Sequence, residues 1–256
     1  MTDRTLDVLI DGVPVAASCR KRLTGEDSLS LFPALFELRL WNLPEADYLA
    51  LGRAREISVS HDGACLASGK ISDVFCQGTA EGVVTTVAFS LGLDLWEAFV
   101  SLTVPAGTAL SDTVRRILSA SGAGIPLLSF PSEDFVSSRP QSFYGRAAEC
   151  VTTALSAASA RAVLSPSGLM VIPPGGLPVS MVLTEKDLTD APSFAGGAIH
   201  GVPPVMILPV SAAGWRPGTT VRVEYKDIAA AGIIADRGVD TDTAGVWKSG
   251  MVIEII

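Results

Sequence analysis

Histidine, which proteins use most often for proton transfer and zinc binding, occurs only twice in this chain. His61 lies in a predicted turn and His200 in a Gly/Pro-rich connection, and neither belongs to an HExxH motif or another tight ligand spacing. The chain also contains no GxSxG turn, no GxxxxGK(S/T) loop and no GxGxxG motif that opens a helix. We therefore predict no catalytic, cofactor-binding or metal-ligating residue, and no cofactor.

Carboxylates form two weaker patterns. The segment DRGVDTDTAG holds three of them, at Asp236, Asp240 and Asp242. This density hints at Ca²⁺, but the spacing does not fit an EF-hand and no Glu closes the site, so we interpret the segment as a solvated hairpin loop. The adjacent pairs Glu26-Asp27 and Glu133-Asp134 leave a glycosidase open, although neighbouring residues on a chain usually point apart.

The cysteines are widely spaced along the chain, at Cys19, Cys65, Cys76 and Cys150. They include no CxxC pair, and four in 256 residues are too few for a disulfide scaffold. We interpret them as buried free thiols in a reducing cytoplasm.

The net charge argues against a protein whose function is to bind nucleic acid. The chain has 19 Lys and Arg against 27 Asp and Glu, a net charge of −8. An acidic surface is nevertheless suited to a channel that DNA crosses, since like charges repel. The densest basic run, Arg20-Lys21-Arg22, is interpreted as a solvated strand edge at which positive charge opposes aggregation.

The composition indicates extensive burial of apolar side chains. Mean hydropathy is +0.41 and only 18% of residues are charged, yet no apolar run is long enough to predict a membrane-spanning helix. The first residues, MTDRTLDVLIDG, lack the pattern of a secretory signal. The apolar excess is therefore expected in a core or in interfaces between subunits.

Alternating apolar residues and Gly-containing turns predict mainly strands up to about Leu95. LDVLIDGVPV predicts a hairpin with an Asp11-Gly12 turn, FELRLW predicts a strand, and a second hairpin turns at His61-Asp62-Gly63. The segment at 42–51 predicts a short helical or irregular excursion. Strands spaced in this way are typical of a small barrel or curled sheet.

The strand at 83–91 has two unlike faces. One face consists of Val83, Thr85, Val87, Phe89 and Leu91, and is expected to pack into the core. The other face consists of Val84, Thr86, Ala88 and Ser90. These four side chains are small and uncharged, whereas solvent-facing strands usually carry Lys and Glu. We therefore expect this second face to line a channel or to contact another subunit.

After Trp96 the pattern predicts two helices and further strands. The first helix begins near Leu110, with Thr108 as its cap and Gly122 as its end. The second is predicted over about 142–158, and a strand–turn–strand follows around 165–168. PPGGLP and GVPPVMILP are interpreted as connections, TTVRVEYKD as a strand, and the last residues as two strands around the DRGVDTDTAG loop.

Three short phrases in this order carry a resemblance to a known family. They are Gly-x-Ile-x-Asp-Val at Gly69–Val74, Gly-Thr-x-Leu-Ser-Asp-Thr-Val at Gly107–Val114 and Gly-x-Trp at Gly245–Trp247. Together with the order of elements, they make the chain resemble the baseplate hub proteins of bacteriophage tails and of related contractile injection machines, including the phage Mu-like and late-control type hubs. The resemblance covers nearly the whole chain.

The resemblance implies an α+β, mainly β fold with two tail-tube-like β-barrel domains and a small inserted α+β region. By this resemblance residues 1–100 form the first barrel, 101–185 the inserted region and 186–256 the second barrel. It also implies a homotrimeric ring that joins the hexameric tail tube to a central spike or fibre and continues the DNA channel.

The expected partners follow from the same resemblance. They are the tail tube protein or distal tail protein, the central spike or tail fibre protein, the tape measure protein and other baseplate proteins, while DNA passes through without specific binding. The expected place is the virion tail baseplate, assembled in the bacterial host cytoplasm. Two alternatives stay open: a tail-associated cell-wall hydrolase, and a receptor-binding or cell-wall-binding module at the tail tip, which an exposed aromatic groove would favour.

Overall fold

The computed structural model of the chain describes residues 5–15, 18–131, 134–174, 176–197, 202–210, 215–244 and 247–255. The strands of the first part are β1 (Asp7–Ile10), β2 (Val13–Pro14), β3 (Lys21–Ser28), β4 (Ala34–Trp41), β5 (Glu56–His61), β6 (Ala64–Thr79) and β7 (Gly82–Leu91). Those of the middle part are β8 (Phe99–Val104), β9 (Leu127–Ser129), β10 (Gln141–Arg146), β11 (Arg161–Ser165) and β12 (Gly168–Ile172). Those of the last part are β13 (Met181–Thr184), β14 (Ser193–Gly197), β15 (Val202–Val210), β16 (Thr220–Tyr225), β17 (Ile228–Asp242) and β18 (Trp247–Ile255). The helices are α1 (Glu45–Leu51), α2 (Leu93–Glu97), α3 (Leu110–Ser121) and α4 (Ala147–Ser156), with a 3₁₀ turn at Glu185–Asp187.

Among the described residues, thirteen strands belong to one sheet that runs through both ends of the chain. Its order is β14-β15-β18-β17-β3-β4-β7-β6-β5-β1-β2, and β16 and β13 continue from the side of β17. The long strand β17 pairs with β16 through its first half and with β3 through its second half. Strands that are more than 200 residues apart in the sequence therefore lie side by side.

The sheet surrounds two separate apolar cores, which we call the first barrel (β1–β7) and the second barrel (β13–β18). In the first barrel the predicted alternation is confirmed, because Phe36, Leu38 and Leu40 are all buried. The two predicted Asp-Gly turns are confirmed as well. Asp11 and Asp62, like the glycines that follow them, have positive φ, the backbone conformation that a tight two-residue hairpin turn requires.

Between the barrels lies a third core, in what we call the inserted region (α2 to β12). Helices α3 and α4 pack on a ribbon of β8 and β10 and on a small sheet of β9, β11 and β12. Gly122 ends α3 in a left-handed conformation, as expected. The predicted cap is wrong, because the Thr108 hydroxyl donates to the Pro105 carbonyl. Instead, the Asp134 carboxylate accepts hydrogen bonds from both the N–H and the hydroxyl of Ser111.

The second predicted helix begins later than the sequence pattern indicates. Residues 141–146 form the strand β10, which pairs along its whole length with β8. The physical reason is the period of two in QSFYGR, in which Phe143 is buried while its neighbours Ser142 and Tyr144 are exposed. Two aromatic residues favour the strand, and the helix α4 starts only at Ala147.

The segment GVPPVMILP, interpreted as a connection, is instead mostly the strand β15. Its prolines suggested a break because proline has no N–H for a sheet ladder. Pro203 and Pro204, however, precede Val205, where pairing with β18 begins. The prolines therefore stand at the start of the strand, and the apolar run after them forms the core of the second barrel.

Two interpretations of charged segments are also wrong. Asp236, Asp240 and Asp242 lie within β17 and not in a loop, because Arg237, Val239 and Thr241 alternate with them and are buried. The run that begins at Arg20 enters β3, which lies between β17 and β4 and is not an edge strand.

The predicted class, α+β and mainly β with two barrel-like units around an inserted region, is confirmed. The boundaries at 100/101 and 185/186 stay a prediction. His200, Glu133 and the first two residues of the Gly245–Trp247 phrase lie outside the described residues. None of the helices in the described ranges is long and apolar enough to cross a membrane.

Candidate functional site

Strand β7 places the two faces predicted from its sequence on opposite sides of the sheet. Val87 and Phe89 lie in the core of the first barrel, but Val83, which was expected there, is 48% exposed at the start of the strand. The four small residues lie on the opposite side, which we call the outer face, with exposed fractions of 8% for Val84, 6% for Thr86 and 3% for Ser90, while Ala88 is half-buried. These side chains are thus already shielded within a single chain.

Larger cross-strand neighbours flank each small residue on the outer face. Residues that pair directly across a sheet point to the same side. The four small residues pair with Trp41, Arg39, Glu37 and Leu35 on β4. On the other side they pair with Gln77, Phe75, Asp73 and Lys70 on β6. The outer face at β7 is therefore a valley of small side chains between two rows of long ones.

One end of this valley is covered by the inserted region. Ser68 and Ser90 line a cavity of about 370 Å³ that is also lined by the β11–β12 turn and by α2. Lys70 on β6 forms an ion pair with Asp94 on α2, with 2.7 Å between Nζ and Oδ2. The ion pair joins the first barrel to the inserted region beside the cavity.

The outer face continues across the seam between β3 and β17 as a ladder of ion pairs. Arg20 contacts Asp242 at 2.6 Å, and Arg22 contacts Asp240 at 3.0 Å. Burial acts to raise the pKa of Asp242, but hydrogen bonds from Arg20 and the Ala244 N–H, with the charges of Arg20 and Arg22, hold that pKa below its usual range. The basic run that the sequence displays therefore pairs with the acidic run of β17.

Beyond the ladder the outer face opens into a wide acidic groove with a volume of about 1480 Å³. It crosses β3, β17, β18 and β15, with Leu35 and Ile207 as exposed apolar residues. Glu26 and Asp236 line it, and burial raises the pKa of the Asp236 carboxyl, as do the nearby charges of Glu254 and Glu26. Unlike the ladder, this groove brings carboxylates close to one another.

On the inner side of the same seam, a buried ion pair connects the two barrels. Arg237 donates from Nε and Nη2 to the two oxygens of Asp27, both at 2.8 Å, and Nη2 also donates to the Leu66 carbonyl. Arg216 donates to the neighbouring Cys65 carbonyl. Burial raises the pKa of Asp27, with Arg237 acting in the opposite direction. Two guanidinium groups of the second barrel therefore donate hydrogen bonds to backbone carbonyls at the start of β6, in the first barrel.

Glu26 and Asp27 lie near Asp236 at the groove, whereas the other residues considered for chemistry have separate contacts. Asp27 pairs with Arg237, Asp134 caps a helix, and His61 contacts the Thr5 carbonyl through Nδ1. The four cysteines, all of which lie in the described ranges, are not joined by disulfides; Cys19 and Cys150 are buried as expected, but Cys65 is half-buried and Cys76 exposed. Within the described ranges no group of three or more His, Cys, Asp or Glu side chains is arranged to hold a metal ion.

Sequence reasoning missed the seam because it assigned each half of it to a loop or an edge. The signal was present in IADRGVDTD, where Asp236, Asp240 and Asp242 alternate with Arg237 and Val239 at the period of a strand. The Asp-rich composition favours a turn, whereas the alternation predicts a strand with one charged and one buried face.

Comparison with known proteins identifies the fold. No protein-family model and no curated protein matches the sequence. A tail protein from Neisseria meningitidis MC58 has a TM-score of 0.75 over 98% of this chain and 96% of its own, at 10% identity. A 43 kDa tail protein of prophage MuSo2 from Shewanella oneidensis has a TM-score of 0.69 over 99% and 96%, at 11% identity.

A third similar structure belongs to a secretion machine. It is an Escherichia coli component of the type VI secretion system, described as structurally similar to T4 bacteriophage tail proteins. Its TM-score is 0.69 over 97% of this chain and 76% of its own, at 10% identity. At such identities the likeness establishes the fold alone. The fold resemblance expected from the sequence, to proteins of phage tails and related injection machines, is confirmed.

Proposed function

We propose that this chain, which has the fold of phage tail proteins from end to end, is a structural subunit of the baseplate hub of a phage tail or a related injection particle. The observation that carries the proposal is the coverage: the likeness to the Neisseria tail protein includes both barrels and the inserted region. A fold shared only by one barrel would fit many β proteins. The full order of elements is far more restrictive.

In this proposal three copies form a ring that joins the hexameric tail tube to a threefold spike or fibre. The pairing of β3 with β17 supports it, because each chain then supplies two barrels already joined within one sheet. Three such pairs give six barrels around one axis. The tail tube or distal tail protein, the spike or fibre protein, the tape measure protein and other baseplate proteins are the proposed neighbours in the virion, after assembly in the host cytoplasm.

The proposed domain limits are 1–100, 101–185 and 186–256. The three larger of the four apolar clusters support a threefold division, since most buried residues of each come from one stretch of the sequence. The seam at β3 and β17 then holds the first and last domains together, and the inserted region stands between them in the chain.

The outer face, with Val84, Thr86, Ala88 and Ser90 at its centre, is proposed to line the channel or to contact a neighbouring subunit. Small shielded side chains and paired ions leave few free cations there to hold a phosphate. The acidic groove repels DNA phosphates. Both features support a channel that DNA crosses without specific binding, and the proposed role needs no catalytic residue.

Electron microscopy of assembled particles tests the proposal directly. The expected result is a threefold ring of this chain, coaxial with the tail tube and located between the tube and the central spike. A single copy bound at the periphery of the tail would overturn the proposal.

The position of the outer face is tested by Ala88→Lys, with Ala120→Lys on the exposed side of α3 as the matched control. If the face lines the channel, Ala88→Lys leaves the ring intact and slows DNA ejection in a salt-dependent way, because a lysine attracts phosphates. If the face contacts a neighbour, the same substitution prevents ring formation. Normal rings and normal ejection would exclude both positions.

A further inference from the structure

An exposed aromatic strip crosses the inserted region and reaches the first barrel. It consists of Phe32, Trp96, Phe99, Tyr144 and Arg146. The rings of Phe32 and Trp96 are 4.4 Å apart, the Arg146 guanidinium lies 4.6 Å from the Trp96 ring, and Phe99 and Tyr144 meet edge to face at 4.8 Å. Arg146 pairs with Phe99 across the β8–β10 ribbon, so the five residues form one continuous surface.

The strip leaves a large apolar area in contact with water. Tyr144 is 80% exposed, Phe32 64% and Phe99 57%. Each aromatic side chain can bury about 150–250 Å². A contiguous exposed patch of this kind is typical of an interaction site, whereas isolated exposed apolar residues are ordinary. Nothing in the proposed channel role of the outer face uses these residues.

The chemistry of the strip is that of the centre of a protein–protein interface. Tyr, Trp, Phe and Arg are the residue types enriched there, and acidic residues are depleted. Neither β8 nor β10 contains Asp or Glu, and Arg146 is their one charged residue. Of the strip, Phe32 alone lines the wide groove, so the strip lies mostly outside that groove.

We propose that this strip is the surface through which one copy of the chain packs against the next, an inference that rests on the proposed ring. Charge complementarity indicates the partner. Arg146 is the charged residue of the strip, with the exposed Glu97 beside it in α2, and a second copy offers an acidic surface to Arg146 because the chain as a whole carries a net charge of −8. In a ring of three the contact is head to tail, so the strip faces a different part of the neighbour.

The test compares the oligomeric state of the full chain with that of two double variants. Phe99→Ser/Tyr144→Ser removes the exposed edge-to-face pair of the strip. Tyr48→Ser/Leu49→Ser removes exposed apolar side chains of α1 and is the matched control. Sedimentation equilibrium is expected to show a trimer for the wild type and the control, and an at least ~100-fold weaker association for the strip variant, as for the loss of two central interface residues.

Arg146→Glu tests the charge complementarity separately. Association should weaken most at low salt and recover partly at high salt, since repulsion between like charges is screened. Association that is equally strong at every salt concentration would contradict an acidic partner surface.

Hydroxyl-radical footprinting of the wild-type chain tests the same contact without any substitution, and so does not depend on whether a variant folds. Oxidation of Phe99 and Tyr144 should fall as the trimer forms, while Tyr48 stays reactive. If the wild type forms trimers with Phe99 and Tyr144 fully reactive, the inference is overturned, the ring stands, and the strip meets another baseplate protein or a cell-wall glycan. If the wild-type chain stays a monomer at every concentration, the chain does not form the proposed ring by itself, and this inference fails as well.

Discussion

The buried pair of Arg237 and Asp27 is the residue-scale feature with the largest expected effect on stability. Arg237 is almost fully buried and donates to Asp27 and to the Leu66 carbonyl. A charged group at such a position is tolerated only when it is paired, because desolvation would otherwise be severe. The pair therefore holds the two barrels in one arrangement.

A double-mutant cycle measures this coupling. Arg237→Ala and Asp27→Ala should each lower the free energy of unfolding by about 3–5 kcal/mol, since each leaves one buried charge without its partner. The double variant should lose clearly less than the sum of the two, because it leaves neither charge behind. Urea unfolding followed by tryptophan fluorescence provides the three values. Additive losses would show that the pair is not coupled.

Asp242 predicts a measurable dependence of stability on pH. Its pKa is lower in the folded chain than in the unfolded chain, so its ionised form stabilises the fold above the unfolded pKa of about 4, and this contribution disappears as the pH falls through the folded value. Asp242→Asn should therefore be less stable than wild type at neutral pH, by up to about 1 kcal/mol given the partly exposed Arg20, and equally stable in strong acid.

Unfolding curves from about pH 2.5 to pH 7 test this prediction. Asp240→Asn is the matched control, because Asp240 occupies the same face of β17 two residues away and pairs with the partly exposed Arg22. A constant difference between wild type and Asp242→Asn across the whole range would contradict the assignment.

At the scale of elements, glycines mark where strands approach closely. Gly69 and Gly78 both lie in β6 and neither has a positive φ. A Cβ on Gly69 would overlap the backbone carbonyl of Ser90, whereas a Cβ on Gly78 meets nothing within 4 Å. The same substitution in the same strand should therefore have opposite outcomes.

Gly69→Ala is expected to destabilise the fold by about 1–3 kcal/mol, since the backbone of β7 must shift to admit the methyl group. Gly78→Ala should be neutral or slightly stabilising, because alanine restricts the unfolded chain more than glycine does. Thermal unfolding of both variants beside wild type provides the comparison. Equal melting temperatures for the two variants would contradict the close approach at Gly69.

Local signals in the sequence were enough to predict most hairpins and the mainly β class. Nearby residues alone determine the Asp-Gly turns and the alternation of FELRLW, and the structure confirms both. Strand β10, strand β15 and the second half of β17 were missed for identifiable reasons: helix-like spacing in the residues that follow, prolines at a strand start and an Asp-rich composition. In each case pairing with a distant strand overrode the local propensity.

At the scale of the whole molecule, the sequence could indicate the order of elements but not the seam or the aromatic strip. The seam pairs β3 with β17, and no local pattern specifies a partner about 200 residues away. The strip combines residues from three separate segments, at Phe32, at Trp96–Phe99 and at Tyr144–Arg146. Both features arise only when the chain is folded.

The pairing of β3 with β17 also determines when the chain can fold during its synthesis. Until β17 leaves the ribosome, β3 has a partner on one side only, and its other edge offers unpaired backbone groups to any neighbouring strand. Nascent chains that are stalled after the inserted region should therefore be protease-sensitive in the first barrel, whereas chains that expose β17 should be resistant. Resistance before β17 emerges would show that the first barrel folds alone. Otherwise a strand made late in synthesis completes the barrel that was made first, and a truncated translation product exposes an unpaired strand edge that the quality control of the cell must remove.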